Sequence, residues 1–278
     1  MISVIITSYN FVDFLPECIN SVLSQKHQDF EIIIVDDGST DVKTVDYLNS
    51  LNNPKINIQL KKNEGVSIAR NFGAALSKGE YLIFLDGDDK LHENYFLQAI
   101  QAFENNKTLN YIFSDLYEFG ERDNKVYFED IKIKNLLLYC GSHVSAIITK
   151  SLWLKSNGFS TDFKEGWEDW DFLIRLHSAG LNAHKLIEPL FYYRIRKNSR
   201  TEISHLYHNK KLEQLLFKNN MDAYLYHFDE PITILREYEN QKYQILQLQQ
   251  KVDNIYNTKS YKLGHLLLSP FKFIKNKF

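Results

Sequence analysis

The sequence predicts an α/β protein with a mostly parallel central sheet flanked by helices and a helical extension at the C-terminus. Short apolar runs alternate with amphipathic stretches in the N-terminal third, as in parallel strands joined by crossover helices. Some runs, such as 32–35, are apolar at consecutive positions, which suits strands covered on both faces. Beyond about residue 205 glycine is absent until Gly264, and this compositional change marks the extension.

Four strands are expected first, over 2–8, 31–37, 56–62 and 80–86. The segment between the first two has helical apolar spacing at Phe14, Cys18, Ile19, Val22 and Leu23. Ligands of open parallel sheets bind beyond the carboxyl ends of the strands. We therefore expect the polar residues after the first, second and fourth strands to meet at one rim.

The middle of the chain is less regular. Strand-like patterns run from about 110 to 150, followed by a predicted helix over 151–157, a loop at Gly158 and a helix that begins near Trp167. The run 189–196 is typical of a late strand.

The C-terminal region contains a predicted long helix and a basic tail. Over 237–257 the sequence is polar with apolar residues that include Tyr243, Leu246, Leu248, Val252 and Ile255, so the region 230–257 is a candidate for self-association. The segment 259–278 has five lysines, no acidic residue and many Leu and Phe residues, which predicts docking on a membrane surface. The alternative is a helix packed on its own domain. The expected domains are 1–205, 206–258 and 259–278.

The bulk composition restricts the partners and the location. The 278 residues are 44% apolar with a net charge of −2, so no basic field indicates nucleic acid binding. Cys18 and Cys140 lie in apolar surroundings, as buried thiols of a reducing, cytoplasmic compartment do. The start, MISVIITSYN, lacks the basic flank of a signal sequence and is expected to form the first strand.

The stretch FLDGDD (84–89) places Asp86, Asp88 and Asp89 directly after a strand, with no lysine or arginine closely before them. Mg²⁺ and Mn²⁺ are commonly held by one or two carboxylates while substrate phosphates complete the shell. The alternative is a solvated turn, because Asp and Gly are common turn residues.

Two further motifs follow the second and third strands. In VDDGSTD (35–41), Asp37 could accept hydrogen bonds from a base or sugar, and residues 39–41 could cap the next helix. In NEGVSIARNFGAAL (63–76), Arg70 could form a fork to a carboxylate or diphosphate, or be an exposed helix arginine. Neither a P-loop nor G-x-G-x-x-G is present.

The last motif, WEDWDFLIRL (167–176), places Glu168, Asp169 and Asp171 in the first turn of a helix. Acidic residues there stabilise the helix dipole, which is the structural explanation. The tryptophans that flank Glu168 and Asp169 would also lower the local dielectric constant and raise a carboxylate pKa toward that of a general base.

Together, VIITSYN, VDDGSTD, NEGVSIARNFG, FLDGDD and GF…WEDWDF resemble, in order and spacing, the motifs of family-2 glycosyltransferases over about residues 1–200. The resemblance implies a GT-A fold and inverting transfer of sugar from a nucleotide donor, usually a UDP-sugar, with Mn²⁺ or Mg²⁺. The C-terminal region resembles the tails of bacterial enzymes that build surface polysaccharides such as capsule or lipopolysaccharide on lipid-linked acceptors. That implies a cytoplasmic protein peripheral to the inner membrane face.

The resemblance also implies residue roles. The nucleotide pocket would be formed by Thr7, Tyr9, Asp37, Asn63 and Arg70. Asp86 would contact the ribose or donor sugar and Asp88 would bind the metal. Asp169 would be the catalytic base, and Glu168 would hold the acceptor or support the base.

One departure concerns the segment after the late strand. Many family members have a histidine there, whereas this chain has Arg196, Lys197 and Ser199. We hypothesise that Arg194, Arg196 or Lys197 instead neutralises the donor diphosphate. His143 is expected to be structural.

Three other function classes compete with this interpretation. VDDGST superficially resembles the nucleophile motif of haloacid dehalogenase-like phosphohydrolases, but here it follows the second strand rather than the first. A nucleotidyltransferase would place a glycine-rich loop with arginine and lysine after the first strand, and that loop is missing. A non-catalytic scaffold or glycan-binding protein would not need the carboxylates at 86, 88 and 169.

Overall fold

The computed structural model describes residues 1–197, 199, 209–228 and 231–263. Contacts divide the chain into two compact units, Met1–Tyr224 and the part from Leu225 onward. The strands of the first unit are β1 Ile2–Ser8, β2 Phe30–Asp36, β3 Ile56–Leu60, β4 Tyr81–Asp86, β5 Lys90–Leu91, β6 Tyr111–Gly120, β7 Asn124–Val126, β8 Ile147–Thr149 and β9 Ala183–Ile195. The helices are α1 Leu15–Leu23, α2 Val42–Ser50, α3 Val66–Leu76, α4 Tyr95–Asn105, α5 Ile133–Leu136, α6 Lys150–Lys155, α7 Glu168–Ser178, α8 Asn209–Asn219, α9 Met221–His227 and α10 Pro231–Asn257.

The described strands form one nine-stranded sheet in the order β3-β2-β1-β4-β8-β6-β9-β5, with β7 paired to β6. The first four strands are parallel, as predicted. Beyond β4 the sheet is mixed, because β8 is antiparallel to both β4 and β6 whereas β6 and β9 are parallel. The α/β class with a mainly parallel N-terminal half is therefore confirmed.

Helices cover this sheet as the sequence pattern predicts. On one face, α1 buries the predicted Cys18, Ile19 and Val22, together with Leu15, against the even-numbered residues of β1. On the other face α3 lies close to the strands, because a Cβ at Gly73 would come within 2.5 Å of the Ile5 side chain. Asp41 caps α2 by accepting hydrogen bonds from the Lys43 and Thr44 amides, so the expected capping is confirmed.

The first compact unit extends to Tyr224, beyond the boundary expected at 205. The reason is that α8 buries Leu212 and Leu216, and Asn220 donates a 2.9 Å hydrogen bond to the buried Asp171. The three-domain division remains a prediction.

The predicted long helix is confirmed as α10, which starts six residues earlier than expected. No helix within the described ranges has the length and apolar character needed to cross a membrane. Most of the predicted membrane-docking segment, residues 264–278, lies outside the described residues.

Candidate functional site

The carboxyl ends of β1, β2 and β4 lie side by side, as the sequence predicts. Thr7 is in register with Val35 of β2 and with Asp86 of β4. The Thr7 hydroxyl donates a 3.0 Å hydrogen bond to Asp86 Oδ1. The three polar strand ends therefore form one rim.

Asp37 ties the loop after β2 to the loop before α3. Its carboxylate is buried and accepts hydrogen bonds from the Glu64 amide at 3.0 Å and the Gly65 amide at 2.8 Å. The loops approach so closely that a Cβ at Gly38, where φ is +78°, would lie 2.5 Å from the Asn63 nitrogen. Asp37 thus positions the exposed Asn63 at the rim, a connection that the sequence did not reveal.

The end of β1 carries an exposed aromatic ring at the same rim. Tyr9 is 42% exposed, and the next residue, Asn10, adopts the left-handed conformation with φ +57°. The Asn10 side chain accepts hydrogen bonds from the Thr40 and Asp41 amides at 2.8 and 2.9 Å. These bonds fix the Tyr9 backbone relative to the β2 loop.

Arg70 is the centre of the candidate site. It is 3% exposed, and its two terminal nitrogens bind Asp86 Oδ1 at 2.8 Å and Glu168 Oε1 at 3.0 Å. Burial alone would lower the arginine pKa, but Asp86 and Glu168 outweigh it, so the pKa is raised and the charge is permanent. Arg70 therefore binds carboxylates, as one of the two predictions stated, and the prediction of an exposed helix arginine is wrong.

Asp88 and Asp89 lie within a second cluster whose cations come from β9 and the residue after it. Arg196 binds Asp88 Oδ2 at 2.6 Å, the Arg194 amide donates to Asp89 Oδ1 at 2.8 Å, and Arg194 Nε donates to the Asp88 carbonyl at 2.7 Å. Burial and then Asp86 raise the Asp88 pKa, against the effect of Arg196. The local sequence suggested uncompensated carboxylates. The structure corrects this, because the compensating arginines are over 100 residues away in sequence.

The second half of the site is the N-terminus of α7. Trp167 caps the helix in the left-handed conformation, φ +67°, and its ring centroid lies 4.8 Å from that of Trp170. Glu168 is buried against Arg70, whereas Asp169 is partly exposed and accepts a 2.8 Å hydrogen bond from the Trp170 amide. Asp171 is fully buried between Arg175 and Asn220 and is structural.

Behind Asp169 lies a small cavity of about 10 Å³, which is near the minimum for one water. Ser142, Tyr111 and His143 also line it, and the Tyr111 hydroxyl lies 3.1 Å from the Ser142 hydroxyl. His143 Nε2 lies 3.1 Å from the Ser114 carbonyl, and the imidazole ring stacks on Phe191 with centroids 4.5 Å apart. His143 therefore has the packing of a structural residue.

The residues at the rim fit a divalent cation only together with a substrate. In the described part of the chain, no three His, Cys, Asp or Glu side chains are grouped to hold a metal ion by themselves. Asp88 offers a hard carboxylate ligand beside a second negative charge at Asp86, as a site completed by phosphate oxygens requires. Arg196 would have to share or release Asp88 for that ion.

The comparisons with known proteins agree with this architecture. The model of the family described as "Glycosyl transferase family 2" matches residues 3–171. An uncharacterised glycosyltransferase of Haemophilus influenzae is 32% identical over 69% of this chain and 67% of its own length. The chain therefore belongs to glycosyl transferase family 2.

Two further relatives extend the comparison. The Escherichia coli UDP-Glc:alpha-D-GlcNAc-diphosphoundecaprenol beta-1,3-glucosyltransferase WfaP is 31% identical over 72% of this chain and 79% of its own. The crystal structure of Staphylococcus aureus TarS 1–349 in complex with UDP-GlcNAc has a TM-score of 0.63, 18% identity, and coverage of 78% of this chain and 66% of that one. This likeness confirms the GT-A fold. The chain spans only 24% of the chondroitin synthase of Pasteurella multocida, to which it is 26% identical.

Sequence reasoning missed the residues that organise the site without carrying its chemistry. Glu17 of α1 binds both Lys90 and Arg194, and so ties β5 and β9 to the first helix. Asn10 has a comparable role, because its side chain holds the loop after β2. Arg194 was a sequence candidate for the donor diphosphate, but its contacts with Asp88, Asp89 and Glu17 were not predicted, and nothing in the local pattern identified Glu17.

Proposed function

We propose that the chain catalyses inverting transfer of a sugar from a nucleotide-sugar donor, a UDP-sugar, to a hydroxyl of a glycan or lipid-linked acceptor in surface polysaccharide synthesis. The observation that carries the proposal is the Arg70 fork. It joins Asp86, at the rim of strand ends, to Glu168, the neighbour of Asp169. One buried cation thus holds the proposed donor side and the proposed base side in a fixed relation.

The donor would lie over the rim formed by Thr7, Tyr9, Asp37 and Asn63. The exposed Tyr9 ring suits stacking on a base. Asp37 already accepts two backbone hydrogen bonds, and each carboxylate oxygen retains a second lone pair for the uracil edge. The UDP-GlcNAc in the TarS structure and the UDP-Glc donor in the name of the E. coli relative support a uridine nucleotide.

The acidic cluster would face the donor diphosphate. Asp86 would contact the ribose or sugar, and Asp88 would hold Mn²⁺ or Mg²⁺, an ion that stabilises negative charge on a departing diphosphate. Besides that metal ion, the Arg196 guanidinium is a cation that binds the Asp88 carboxylate. We infer that it contributes to neutralising the diphosphate, where many family members carry histidine.

Asp169 would act as the base for the acceptor. As the acceptor oxygen forms its bond to the anomeric carbon, the bond from that carbon to the diphosphate oxygen breaks, and the hydroxyl proton passes to the Asp169 carboxylate. Attack from the face opposite to the leaving group inverts the anomeric configuration. Glu168 is occupied by Arg70, so its role is to position Asp169 and the rim rather than to accept the proton.

Thermal unfolding with UDP, GDP, CMP and dTDP, each with and without Mn²⁺, tests the donor assignment. A nucleotide at a hundredfold excess over its dissociation constant stabilises the protein by about 2.7 kcal/mol. We expect a shift with UDP that requires Mn²⁺ and is lost in Asp88→Asn, but is retained in Asp46→Asn, an exposed carboxylate on α2. Equal UDP affinity in Arg196→Ala would contradict the role of Arg196.

The competing function is a non-catalytic scaffold that retains the fold. Slow hydrolysis of a UDP-sugar without acceptor separates the two, because a scaffold releases no UDP. We expect release by the wild type and at least a hundredfold slower release by Asp88→Asn. Absence of any nucleotide shift together with absence of hydrolysis would favour the scaffold.

A further inference from the structure

The long helix α10 exposes apolar side chains over residues 236–257. Every side chain from 236 to 263 is exposed in the described structure, and the apolar ones include Ile245, Leu248, Val252 and Ile255 at 45–59% exposure. Most of the stability of helices in proteins comes from packing an apolar face against a neighbour, and this helix of 27 residues leaves these apolar side chains exposed. This surface is therefore suited to a partner.

The apolar residues of α10 follow a heptad repeat over about three heptads. Successive steps of four and three residues join the positions that would face a partner helix, which are Ile234, Tyr238, Gln241, Ile245, Leu248, Val252 and Ile255. In heptad notation Tyr238, Ile245 and Val252 occupy position a, and the other four occupy position d. The exposed Tyr243 and Leu246 lie outside this seam, at positions f and b.

We propose that α10 pairs with the same helix of a second copy of this chain in a parallel two-stranded coiled coil. Ile245 and Val252 at position a around Leu248 at position d are the combination that favours two parallel strands. The pairing needs no other protein, because the a and d residues of one copy can pack against the same residues of a second copy.

Charge complementarity supports the parallel arrangement. Glu237 is at position g and Lys242 at position e of the next heptad, where g and e side chains of parallel partners meet. The two residues are five apart, too far around one helix to contact each other. Within the chain Lys242 lies 3.6 Å from Glu239, an exposed pair that contributes little and leaves Lys242 available.

The polar residue in the seam argues for the same direction. In a parallel pair in register, Gln241 faces Gln241 of the partner subunit, and two amides can donate to and accept from each other. In an antiparallel pair, positions d face positions a, so Gln241 would face an apolar residue such as Ile245, and its amide would be buried without a partner. The parallel register is therefore favoured.

Adjacent substitutions on the helix test the seam. Sedimentation equilibrium of the full chain should show a dimer for the wild type. Ile245→Lys, in the seam, should raise the dimer dissociation constant at least tenfold, whereas Leu246→Lys, one position outside it, should leave it unchanged. Unaltered nucleotide-induced thermal shifts would show that the catalytic unit is intact in both variants. A monomeric wild type, or equal effects of the two substitutions, would overturn the proposal.

Charge exchange and cross-linking test the orientation. Glu237→Lys should weaken the dimer, and adding Lys242→Glu should restore it, because the exchange rebuilds the pair between chains. Val252→Cys should form an intermolecular disulfide under oxidation, and Leu246→Cys should not. Failure of the rescue, a trimer, or absence of the Val252→Cys disulfide would contradict a parallel dimer.

Discussion

Arg70 has the strongest expected effect on stability among the site residues, because it is the shared partner of Asp86 and Glu168. Arg70→Met would retain most of the side-chain volume and leave both carboxylates without their guanidinium. Removing one partner of a buried ion pair costs roughly 3–5 kcal/mol. We expect a loss of that order in the free energy of unfolding, measured with urea.

The matched control for Arg70 is Lys26→Met. Lys26 and Glu93 form an ion pair in which both side chains are 52% exposed. Such pairs contribute at most about 1 kcal/mol. If Arg70→Met had the stability of the wild type, the ion pairs of Arg70 would not contribute to the free energy of unfolding.

His143 makes the stability of the protein dependent on pH. Burial lowers its pKa to about 4, against the opposing effects of Ser114 and Asp115. Below about pH 6.5 the unfolded chain binds a proton that the folded chain does not. Stability is therefore lost as pH falls from about 6.5 to about 4, by about 3 kcal/mol in total.

Urea unfolding between pH 7 and pH 4 measures this contribution. His143→Gln retains a donor for the Ser114 carbonyl and should flatten the pH dependence in this range. His184→Gln, at an exposed position of β9, should keep the wild-type slope. An unchanged slope in His143→Gln would place the origin of the pH dependence elsewhere.

The sequence identified the carboxylates of the site but not their partners. Asp86 and Asp88 were recognisable because they follow an apolar strand, and strand ends of a parallel sheet share a rim. The arginines that pair with these carboxylates were not recognisable, because Arg70 and Arg196 reach them only through tertiary contacts. The same limit applies to Asp37, whose hydrogen bonds go to backbone amides of a distant loop.

At the level of elements, the early strands were predictable because each is a continuous apolar run. The strand β9 begins at Ala183, six residues before the expected start. Its first half carries exposed polar side chains such as His184 and Glu188, so the apolar pattern is interrupted there. The register shift against β6 between Ser114 and Leu116 likewise has no sequence signal.

Helix α8 lies beyond the expected domain boundary, and its packing can be tested directly. Leu212 is completely buried, so Leu212→Ala should destabilise the first compact unit by roughly 2–5 kcal/mol. Leu225→Ala, at a 60% exposed position of α9, should change stability by less than about 0.5 kcal/mol. Urea unfolding followed by tryptophan fluorescence would detect the difference, because all three tryptophans precede residue 205. Equal stability of the two variants would support a boundary at 205.

At the scale of the whole molecule, the order of five motifs along the chain was sufficient to predict the class and the family. Parallel β1–β4 followed from alternating strand and helix patterns. The mixed half of the sheet could not be predicted from these patterns. There β6 and β9 pair across about 70 residues, and β8 pairs with the other edge of β6. Pairing over such distances depends on the assembled core rather than on local propensity.

The basic tail predicts attachment of the whole protein to anionic membranes. Residues 259–278 include five lysines, and each lysine near such a surface contributes about 1 kcal/mol. In vesicle flotation, full-length protein should bind vesicles rich in phosphatidylserine, and a chain that ends at residue 258 should not. Binding should weaken as salt is raised. Equal flotation of the two chains would exclude the tail as the anchor.

The contacts of α3 with the segment before α7 have a consequence for how such enzymes can diverge. Arg70 binds Glu168, and the adjacent Asn71 both donates to and accepts from the Phe159 backbone at 2.8 Å. A change at 168 alone removes one of the two carboxylates that bind Arg70, and a change at 70 alone removes the guanidinium from both acids. Positions 70, 86 and 168 should therefore covary among homologues. A chimera that imports residues 158–178 from another family member should require a matching residue 70 from the same donor.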